Sequence, residues 1–393
     1  MTSEENVKVA VIGAGAMGRG IAQVAATAGH RVVLHDSQAG AVDAALSEIE
    51  RGLLRNIEKK RMSKEEAGET SSRLSSTDGD LAAISPCSLV IEAIVESLDA
   101  KRELFTSVEA LVADDAVLAT NTSSLSVTAI ASSCRNQRRV LGIHFFNPAV
   151  VMPLVEIVPG VASDPTIVYD IERMVSSWGK TTVVASDTPG FIVNRIARPF
   201  YGEALRIQEE GIADMATIDW AMREIGGFRM GPFELMDFIG NDVNLAATKS
   251  VYDAMFQDPR FRPSLTQQRL VDAGFLGRKS GRGYYDYSDG APKPAPVEDR
   301  ELGELIFRRI LSMLINAAAD ALYLRVASAD DIEKAMTLGV NYPKGLLAWA
   351  DEIGIVETVK WLSALHEFYG EERYRPSPLL KTMAADGFTF FGG

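Results

Sequence analysis

The sequence predicts an α/β fold with a doubly wound parallel sheet, followed by an all-α domain that is built from a duplicated helical unit. Two observations support this prediction. Short apolar runs of strand length alternate with amphipathic helical patterns as far as residue 185, which is typical of a parallel sheet. Beyond the segment Asp187-Thr188-Pro189-Gly190 the patterns are helical throughout, and one of them recurs later in the chain.

Length and composition limit the class of protein. The chain has 393 residues, so two or three domains are expected. With 53 acidic and 40 basic residues, its net charge of −13 argues against a nucleic-acid partner and an anionic membrane surface. Two cysteines are too few for a disulfide framework, and no apolar run reaches transmembrane length. The polar start MTSEENVKV is unlike a signal peptide, so the composition favours a cytoplasmic enzyme.

The first elements follow from apolar periodicity. Residues 7–36 read as a strand, a helix that Gly29 ends, and a second strand that ends at Asp36, which is a complete strand–helix–strand unit. Residues 42–62 are predicted to be one helix with a basic last turn at Lys59, Lys60 and Arg61. Further strands are expected at 88–91, 117–120, 141–145 and 181–185.

A glycine pattern lies at the first turn between strand and helix. Residues 13–18 read Gly-Ala-Gly-Ala-Met-Gly, the G-x-G-x-x-G pattern of a Rossmann-type dinucleotide-binding domain. Gly13 permits the tight turn, Gly15 lets a pyrophosphate approach the backbone, and Gly18 lets the helix pack on the strand. The alternative is a glycine-rich turn that binds nothing.

The cofactor predicted from this pattern is NAD. Ala16 and Met17 open the helix, whose free backbone N–H groups can bind phosphate. Asp36 would accept hydrogen bonds from the adenosine ribose and repel a 2′-phosphate, so NAD is favoured over NADP. No second flavin-holding motif is visible, which makes FAD a weaker candidate.

The helical part contains an internal repeat. Residues 218–240 align with 332–354 at an offset of 332 − 218 = 114. The matches include Ala221/Ala335, Met222/Met336, Gly231/Gly345, Asp237/Asp351 and Gly240/Gly354. The same offset places Arg308 at the position of Asn194. A duplicated helical unit usually stacks on its twin, so the polar residue that the second copy lost is a functional candidate.

These patterns predict four segments along the chain. The helical patterns cover 191–210, 215–226, 303–325 and 330–338, and three prolines interrupt them between 288 and 301. The predicted division is an NAD-binding domain at 1–187, a first helical domain at 188–287, a Pro-rich linker at 288–301 and a second helical copy at 302–393.

One of the four histidines is a candidate general base. His144 lies near the carboxyl end of an apolar strand, where α/β sheets bind ligands. Glu156 follows a Pro-bounded loop at 147–153 that can fold the second apolar run back beside the first. A histidine held by a buried carboxylate can act as a general base, and the alternative is a core histidine that Glu156 satisfies. The other three are predicted to be a cap or surface residue (His30), a packing residue that could instead contact the adenine (His35) and a solvated residue (His366).

Two polar residues extend this candidate site. Ser123 follows another strand at the same sheet edge and could bind a substrate oxygen or cap the next helix. Asn194 follows the hinge on a helix that could cover the cleft, or it could only contact the helix N-terminus. No G-x-S-x-G elbow supports a hydrolase, and no cluster has metal-ligand spacing. With a dinucleotide nearby, the set predicts hydride transfer from an alcohol.

Several motifs resemble the NAD-dependent 3-hydroxyacyl-CoA dehydrogenase family. The matching blocks are VIGAGAMGRGIA, VIEAIVESLDAK, NTSSLSVTAIA, GIHFFNPAVVMPLVEIV, DTPGFIVNR, GPFELMDFIG and LGRKSGRGYYDY. The second copy, with GVNYPKGLLAW and GEERYRPSPLL, resembles the extended members associated with phenylacetate degradation, which act on 3-hydroxyadipyl-CoA and related esters. The resemblance implies oxidation of an (S)-3-hydroxyacyl-CoA to the 3-oxoacyl-CoA, with NAD⁺ as hydride acceptor.

The resemblance also implies residue roles. His144 corresponds to the family's base, Glu156 to its orienting partner, and Ser123 and Asn194 to residues that contact the substrate. Further positions near the NAD ribose and nicotinamide are Glu96, Lys101, Ser123, Asn147 and Lys279.

The coenzyme A contacts implied by the resemblance are less complete. Lys59 matches a CoA-contacting lysine on the helix at 42–62. Gly52 departs from a serine that some relatives carry there. A dicarboxylyl substrate would need a cation, for which Arg195, Arg198 and Arg229 are candidates by position only. The alternative is that each is a surface or ion-pair residue.

Other functions and assemblies stay open at this stage. A dehydrogenase of free hydroxy or sugar acids is an alternative, since such enzymes share many of these motifs. A non-catalytic relative that kept only NAD binding, as some crystallins did, is another, although the intact set of site residues argues against it. The helical domains could form a homodimer, or the second copy could take the partner's place within one chain.

Overall fold

The computed structural model describes residues 7–77 and 79–392 and forms two compact units, Met1–Phe191 and Ile192–Gly393. The first contains the sheet and the second is helical. Within the described ranges, every helix is too short or too polar to cross a lipid bilayer. The finer division at residues 287 and 301 stays a prediction.

The first unit is built around one eight-stranded sheet in the order β3-β2-β1-β4-β5-β6-β7-β8. The strands are β1 (Lys8–Ile12), β2 (Arg31–His35), β3 (Leu74–Ser76), β4 (Leu89–Glu92), β5 (Val117–Thr120), β6 (Val140–Phe145), β7 (Leu154–Pro159) and β8 (Thr181–Val184). Neighbouring strands are parallel, except that β6 and β7 are antiparallel. The predicted doubly wound α/β fold is confirmed, and β3 was missed because it carries one apolar residue, Leu74.

Helices cover both faces of this sheet. They are α1 (Ala16–Thr27), α2 (Ala41–Glu58), α3 (Lys64–Ser72), α4 (Leu98–Leu111), α5 (Val127–Ala131) and α6 (Pro165–Ser177). Val9 and Val11 of β1 pack into one apolar core, and Ala10 and Ile12 pack into another. Because alternate residues of a strand point to opposite faces, both faces are buried, which explains the continuously apolar strands.

The predicted helix at 42–62 is wrong at its end. Helix α2 stops at Glu58, and Lys59 and Lys60 lie in the turn that follows rather than in a last helical turn. A new helix begins at Lys64, because Ser63 and Glu66 cap its N-terminus reciprocally. This Ser-x-x-Glu capping box is a start signal that competes with continuation of α2.

The second unit consists of α7 (Val193–Ile196), α8 (Arg198–Glu209), α9 (Met215–Trp220), α10 (Pro232–Ile239), α11 (Asn241–Ala254), α12 (Leu265–Asp272), α13 (Arg300–Tyr323), α14 (Ala329–Gly339), α15 (Leu346–Ile353), α16 (Ile355–Tyr369) and α17 (Pro378–Asp386). The pattern at 191–210 is divided into α7 and α8, where Pro199 occupies the first turn of α8. Its counterpart in the second copy, α13, is continuous.

The structure confirms the internal repeat. Helices α10 and α11 correspond to α15 and α16, with starts at 232 and 346 and at 241 and 355. The glycine between each pair adopts nearly the same conformation, with φ 103° and ψ 125° at Gly240 and φ 96° and ψ 126° at Gly354. The offset of 114 is therefore conserved in the backbone as well as in the sequence.

A buried ion cluster joins the two copies. Helix α8 of the first copy packs on α13 of the second. The carboxylate of Glu203 is fully buried and accepts hydrogen bonds from Arg309, at 3.0 Å from Nε, and from Arg373. Glu210 pairs with Arg309 at 2.7 Å. Because each buried charge has an opposite charge beside it, the cluster can persist away from water.

Candidate active site

His144 and Glu156 form a buried hydrogen-bonded pair. They lie directly opposite each other on the antiparallel strands β6 and β7, and Nδ1 of His144 is 2.6 Å from Oε2 of Glu156. His144 is 5% exposed and Glu156 is fully buried. The loop at 147–153 thus folds the second apolar run back beside the first, as predicted.

The pair fixes which ring nitrogen can serve a substrate. Since Nδ1 faces the carboxylate, Nε2 is the nitrogen left to exchange a proton with a ligand. The imidazole packs against Phe146, with ring centres 4.5 Å apart, and against the edge of Phe191 at 5.7 Å. These contacts hold the ring plane, so the arrangement suits a general base of fixed orientation.

The segment after β5 lies beside the end of β6. The side-chain Oδ1 of Asn121 accepts a hydrogen bond from the backbone N–H of Phe145 at 2.8 Å. Ser123 is exposed, and the cap of α5 is Ser126, so the alternative of a helix cap for Ser123 is excluded. Asn121 therefore links the strand that precedes Ser123 to the strand that carries His144.

A carboxylate organises this segment. Oε1 of Glu96 accepts hydrogen bonds from the hydroxyl of Thr122 at 2.6 Å and from the backbone N–H groups of Ser123 and Ser124 at 3.0 and 3.1 Å. Burial raises the pKa of Glu96, but these hydrogen bonds and the charge of Lys101 outweigh it, so its pKa lies below the ordinary value. Glu96 therefore stays ionised and holds Ser123 in place.

Lys101 is buried between two carboxylates. It is 1% exposed, with Nζ at 2.5 Å from Glu92 and 3.3 Å from Glu96. Glu92 ends β4 and also accepts a hydrogen bond from Thr120 at 2.7 Å. The predicted cofactor residues Glu96 and Lys101 are thus part of one network at the carboxyl ends of β4 and β5.

The glycine-rich turn fits a dinucleotide. A Cβ at Gly13 would lie 2.4 Å from the carbonyl oxygen of Ala93, and one at Gly18 would lie 1.7 Å from that of Gly13, so both positions require glycine. Gly15 has open space beside its backbone, and among the described residues no side chain caps the N-terminus of α1.

The same turn is tied to the end of β2. Oδ2 of Asp36 accepts a hydrogen bond from the N–H of Ala14 at 2.8 Å. Ala16 is exposed and Met17 is half-buried at the start of α1. A phosphate at the free N–H groups and a ribose beside Asp36 are compatible with this arrangement.

A cationic pocket lies next to this turn. Its volume is about 360 Å³, and it is lined by Ala16 of α1, by residues of α2 and by the loop that contains Asn147. Three cations face it, namely Arg19, Arg55 and Lys59. Two of these cations, Arg19 and Arg55, do not follow from the sequence pattern, because a surface helix commonly carries exposed arginines.

Two predicted site residues belong to the helical unit. Asn194 lies in α7, where its backbone carbonyl accepts a hydrogen bond from Nε of Arg198 at 2.8 Å. Lys279 pairs with Asp242 at 2.6 Å. Among the described residues, the carboxamide of Asn194 makes no hydrogen bond, which leaves it available to a ligand.

Two of the other histidines, His30 and His35, occupy buried structural positions. The prediction for His30 is wrong, since it is 6% exposed, contacts the carbonyl oxygen of Val7 at 3.1 Å and packs on Trp178. His35 is buried against Thr77, as expected of a packing residue. In the described part of the chain, no group of three or more His, Cys, Asp or Glu side chains could hold a metal ion.

Two family models match the chain. One describes the NAD-binding domain of 3-hydroxyacyl-CoA dehydrogenase and matches residues 8–188. The other describes the C-terminal domain of 3-hydroxyacyl-CoA dehydrogenase and matches residues 190–287 and again 305–389. The second model therefore matches both copies of the helical unit.

Individual relatives are similar over most of the chain. A 3-hydroxyadipyl-CoA dehydrogenase of Escherichia coli K12 is 39% identical, over 96% of this chain and 97% of its own length. The mitochondrial hydroxyacyl-coenzyme A dehydrogenase of Sus scrofa is 39% identical over 71% of this chain and 90% of its own. A crystal structure of a 3-hydroxybutyryl-CoA dehydrogenase from E. coli K12 superposes with a TM-score of 0.91 at 38% identity and covers 96% of this chain and 98% of that one.

Proposed function

Because the chain belongs to the 3-hydroxyacyl-CoA dehydrogenase family, we propose that His144 is the general base of its reaction and that Glu156 orients it. The protein is an NAD-dependent oxidoreductase that converts 3-hydroxyacyl-CoA to 3-oxoacyl-CoA. The buried hydrogen bond of 2.6 Å between His144 and Glu156 is the observation that carries the proposed roles.

The proposed proton transfer uses one nitrogen of the imidazole. Nε2 of His144 accepts the proton of the C3 hydroxyl group, while Nδ1–H keeps its hydrogen bond to Glu156. The negative charge of Glu156 stabilises the imidazolium that forms, because the pair is shielded from water. Bound NAD⁺ supplies the acceptor for the hydride that leaves C3 in the same step.

Two polar side chains complete the proposed substrate contacts. The hydroxyl of Ser123 and the carboxamide of Asn194 can donate hydrogen bonds to the C3 oxygen and the thioester carbonyl. Glu96 accepts hydrogen bonds from the backbone N–H of Ser123 at 3.0 Å and from its hydroxyl at 3.5 Å, so both are positioned before substrate binds. Such fixed donors reduce the entropic cost of orienting the substrate.

The proposed cofactor contacts come from several loops. Gly13, Gly15, Ala16, Met17 and Gly18 would hold the pyrophosphate, and Asp36 would hold the adenosine ribose. Glu96, Lys101, Ser123, Asn147 and Lys279 are the proposed positions towards the nicotinamide end.

The cationic pocket beside α2 is the proposed site for the phosphates of coenzyme A. Arg19, Arg55 and Lys59 line it together. The acidic residue of the same lining, Glu48, is paired with Arg51 at 2.5 Å, so its charge is compensated. Net positive charge within a pocket of an otherwise acidic protein favours an anionic ligand.

The acyl group of the substrate and the pathway that uses the reaction are proposed from the relatives. The relatives include a 3-hydroxyadipyl-CoA dehydrogenase and 3-hydroxybutyryl-CoA dehydrogenases, so both acyl groups are candidates, in phenylacetate or fatty-acid catabolism.

A cytoplasmic location and a homodimer formed through the helical unit are also proposed. Exposed apolar side chains such as Phe368 and Leu305 support the dimer, which light scattering can test.

The experiment that tests the function is a comparison of substrates. NADH formation is measured with (S)-3-hydroxybutyryl-CoA, (S)-3-hydroxyadipyl-CoA and free 3-hydroxybutyrate. Turnover of a thioester without turnover of the free acid is expected. Turnover of the free acid alone would favour a hydroxy-acid dehydrogenase, and NAD binding without turnover of any substrate would favour a non-catalytic relative.

A further inference from the structure

A second pocket lies within the helical unit, where the two copies meet. Its volume is about 430 Å³. Its walls include Phe200, Phe228 and Tyr342, whose ring centres are 5.0 to 5.7 Å apart. Phe238 lines it as well and is 60% exposed. An aromatic pocket of this size can accommodate an apolar chain or ring of a small molecule.

Two arginines give the pocket a positive charge. Arg229 is exposed and, among the described residues, has no ion pair. Arg278 lies over the rings of Phe238 and Tyr287, at 5.2 and 5.7 Å, and has no acidic partner within the same part of the chain.

The acidic residue of the lining is compensated. The carboxylate of Glu234 is hydrogen-bonded to the guanidinium of Arg223, which is outside the lining. The pocket therefore combines apolar walls with two uncompensated guanidinium groups. Guanidinium groups bind carboxylates with paired hydrogen bonds, so this combination is complementary to a carboxylate on an apolar body.

The duplication provides an internal comparison. At the offset of 114, Pro343 occupies the position of Arg229, while Tyr342 occupies that of the aromatic Phe228. One aromatic position of the wall is thus common to both copies, whereas the cation at position 229 has no counterpart at the equivalent position of the second copy. A residue required only for the fold would be expected in both copies, so the difference favours a ligand-binding role for Arg229.

We propose that this pocket binds the carboxylate end of a small apolar organic acid, with Arg229 and Arg278 on the carboxylate and the aromatic walls around the carbon chain. The acid could be a free molecule, or it could be the distal carboxylate of a dicarboxylyl thioester. The second source rests on the proposed function, and the first does not.

The binding arm of the test uses calorimetry, with hexanoate as the probe and hexanamide as its uncharged control. We expect hexanoate to bind the wild-type protein, and the double substitution Arg229→Gln with Arg278→Gln to weaken it at least about tenfold. Hexanamide should bind equally weakly to both proteins. Arg262→Gln, which removes an exposed arginine outside the pocket, should leave hexanoate binding unchanged. Phe238→Ala should weaken both probes by a similar factor.

The kinetic arm distinguishes the two sources of carboxylate. If the distal carboxylate of the substrate binds here, the double substitution raises KM for (S)-3-hydroxyadipyl-CoA and leaves KM for (S)-3-hydroxybutyryl-CoA unchanged. If a free acid binds here, hexanoate affinity falls while both KM values stay the same.

Equal hexanoate binding by wild-type and doubly substituted protein, together with unchanged KM for both thioesters, would overturn the proposal. Calorimetry measures binding without turnover, so its result does not depend on whether the proposed enzymatic function is correct. Thermal unfolding of the doubly substituted protein shows whether the substitutions disturb the fold, and both side chains are exposed.

Discussion

The two copies of the helical unit share a scaffold and differ in their chemistry. In the first copy, the carboxylate of Asp219 accepts hydrogen bonds from the backbone N–H groups of Phe233 and Glu234 at 2.9 and 3.0 Å. In the second, Glu333 accepts the equivalent bonds from Leu347 and Ala348 at 2.9 and 3.1 Å. Both carboxylates thus cap the helix that follows, and this structural role survived the duplication.

The glycine before each capped helix has the same explanation in both copies. A Cβ at Gly231 would lie 2.3 Å from an oxygen of Asp219, and one at Gly345 would lie 1.7 Å from an oxygen of Glu333. Residues that position the backbone are therefore repeated.

Two of the positions that differ carry, in the first copy, polar groups that are available to ligands. Asn194 is replaced by Arg308, which pairs with Glu304 at 3.1 Å on the same helix, and Arg229 is replaced by Pro343. The repeated positions therefore specify the fold, whereas polar positions found in the first copy alone are candidates for function.

The largest loss of stability is expected at the ion cluster that joins the two copies. Glu203→Gln leaves Arg309 and Arg373 facing a neutral side chain in a buried cluster, and should lower the free energy of unfolding by about 3–5 kcal/mol. Chemical denaturation of the variant measures this. The exposed Glu224→Gln is the control, and equal stability of the two variants would show that the ion cluster does not hold the copies together.

The next prediction concerns catalytic activity, and it distinguishes the two copies by function. Asn194→Ala should lower kcat/KM about 10²–10³-fold, because one donor to the reacting oxygens is lost. Arg308→Ala, at the equivalent position of the second copy, should leave kcat/KM unchanged. Steady-state kinetics with a 3-hydroxyacyl-CoA measures both, and similar losses in the two variants would contradict the functional division.

A smaller loss of stability is expected at the repeated carboxylates. Asp219→Ala and Glu333→Ala each leave two backbone N–H groups without acceptors, at a cost of about 1–3 kcal/mol. Asp219 also accepts a hydrogen bond from the hydroxyl of Tyr285 at 2.7 Å, so Asp219→Ala should be the more destabilising of the two. Thermal unfolding of both variants, with the exposed Asp253→Ala as control, measures this. A destabilised Asp219→Ala beside an unaffected Glu333→Ala would mean that the scaffolds are not equivalent.

The smallest expected effect is a change in stability at acidic pH. Burial raises the pKa of Glu203, but the charges of Arg373 and Arg309 outweigh it, so its folded pKa lies below the ordinary value of 4.5. A lowered folded pKa contributes stability above the unfolded pKa, and that stability is lost as pH falls through the folded pKa. The difference in melting temperature between wild type and Glu203→Gln should therefore narrow below about pH 4. A difference that stays constant from pH 7 to pH 3 would contradict this.

Much of this architecture was predictable, because its signals are local. The glycine spacing at residues 13–18, the apolar strands and the offset of 114 predicted the sheet, the cofactor turn and the duplication. The pairing of His144 with Glu156 was predictable because a short Pro-bounded loop leaves few ways to place the second strand.

Other features depend on contacts between distant residues. The burial of His30 arises from Trp178, far along the chain, so its position after Gly29 suggested a surface residue instead. The end of α2 was missed because a capping box competes with an uninterrupted polar helical pattern. The network of Glu96 with the segment after β5 joins residues from separate loops, which periodicity does not reveal.

The most direct test of His144 as the general base is to measure the kinetics and the NAD affinity of His144→Gln. If His144 takes the hydroxyl proton, turnover of a 3-hydroxyacyl-CoA should fall by roughly 10²–10⁴ while NAD affinity stays nearly intact. The control His366→Gln, which lies outside the proposed site, should behave like wild type. Unchanged turnover in His144→Gln would contradict the proposed mechanism and exclude this residue as its base.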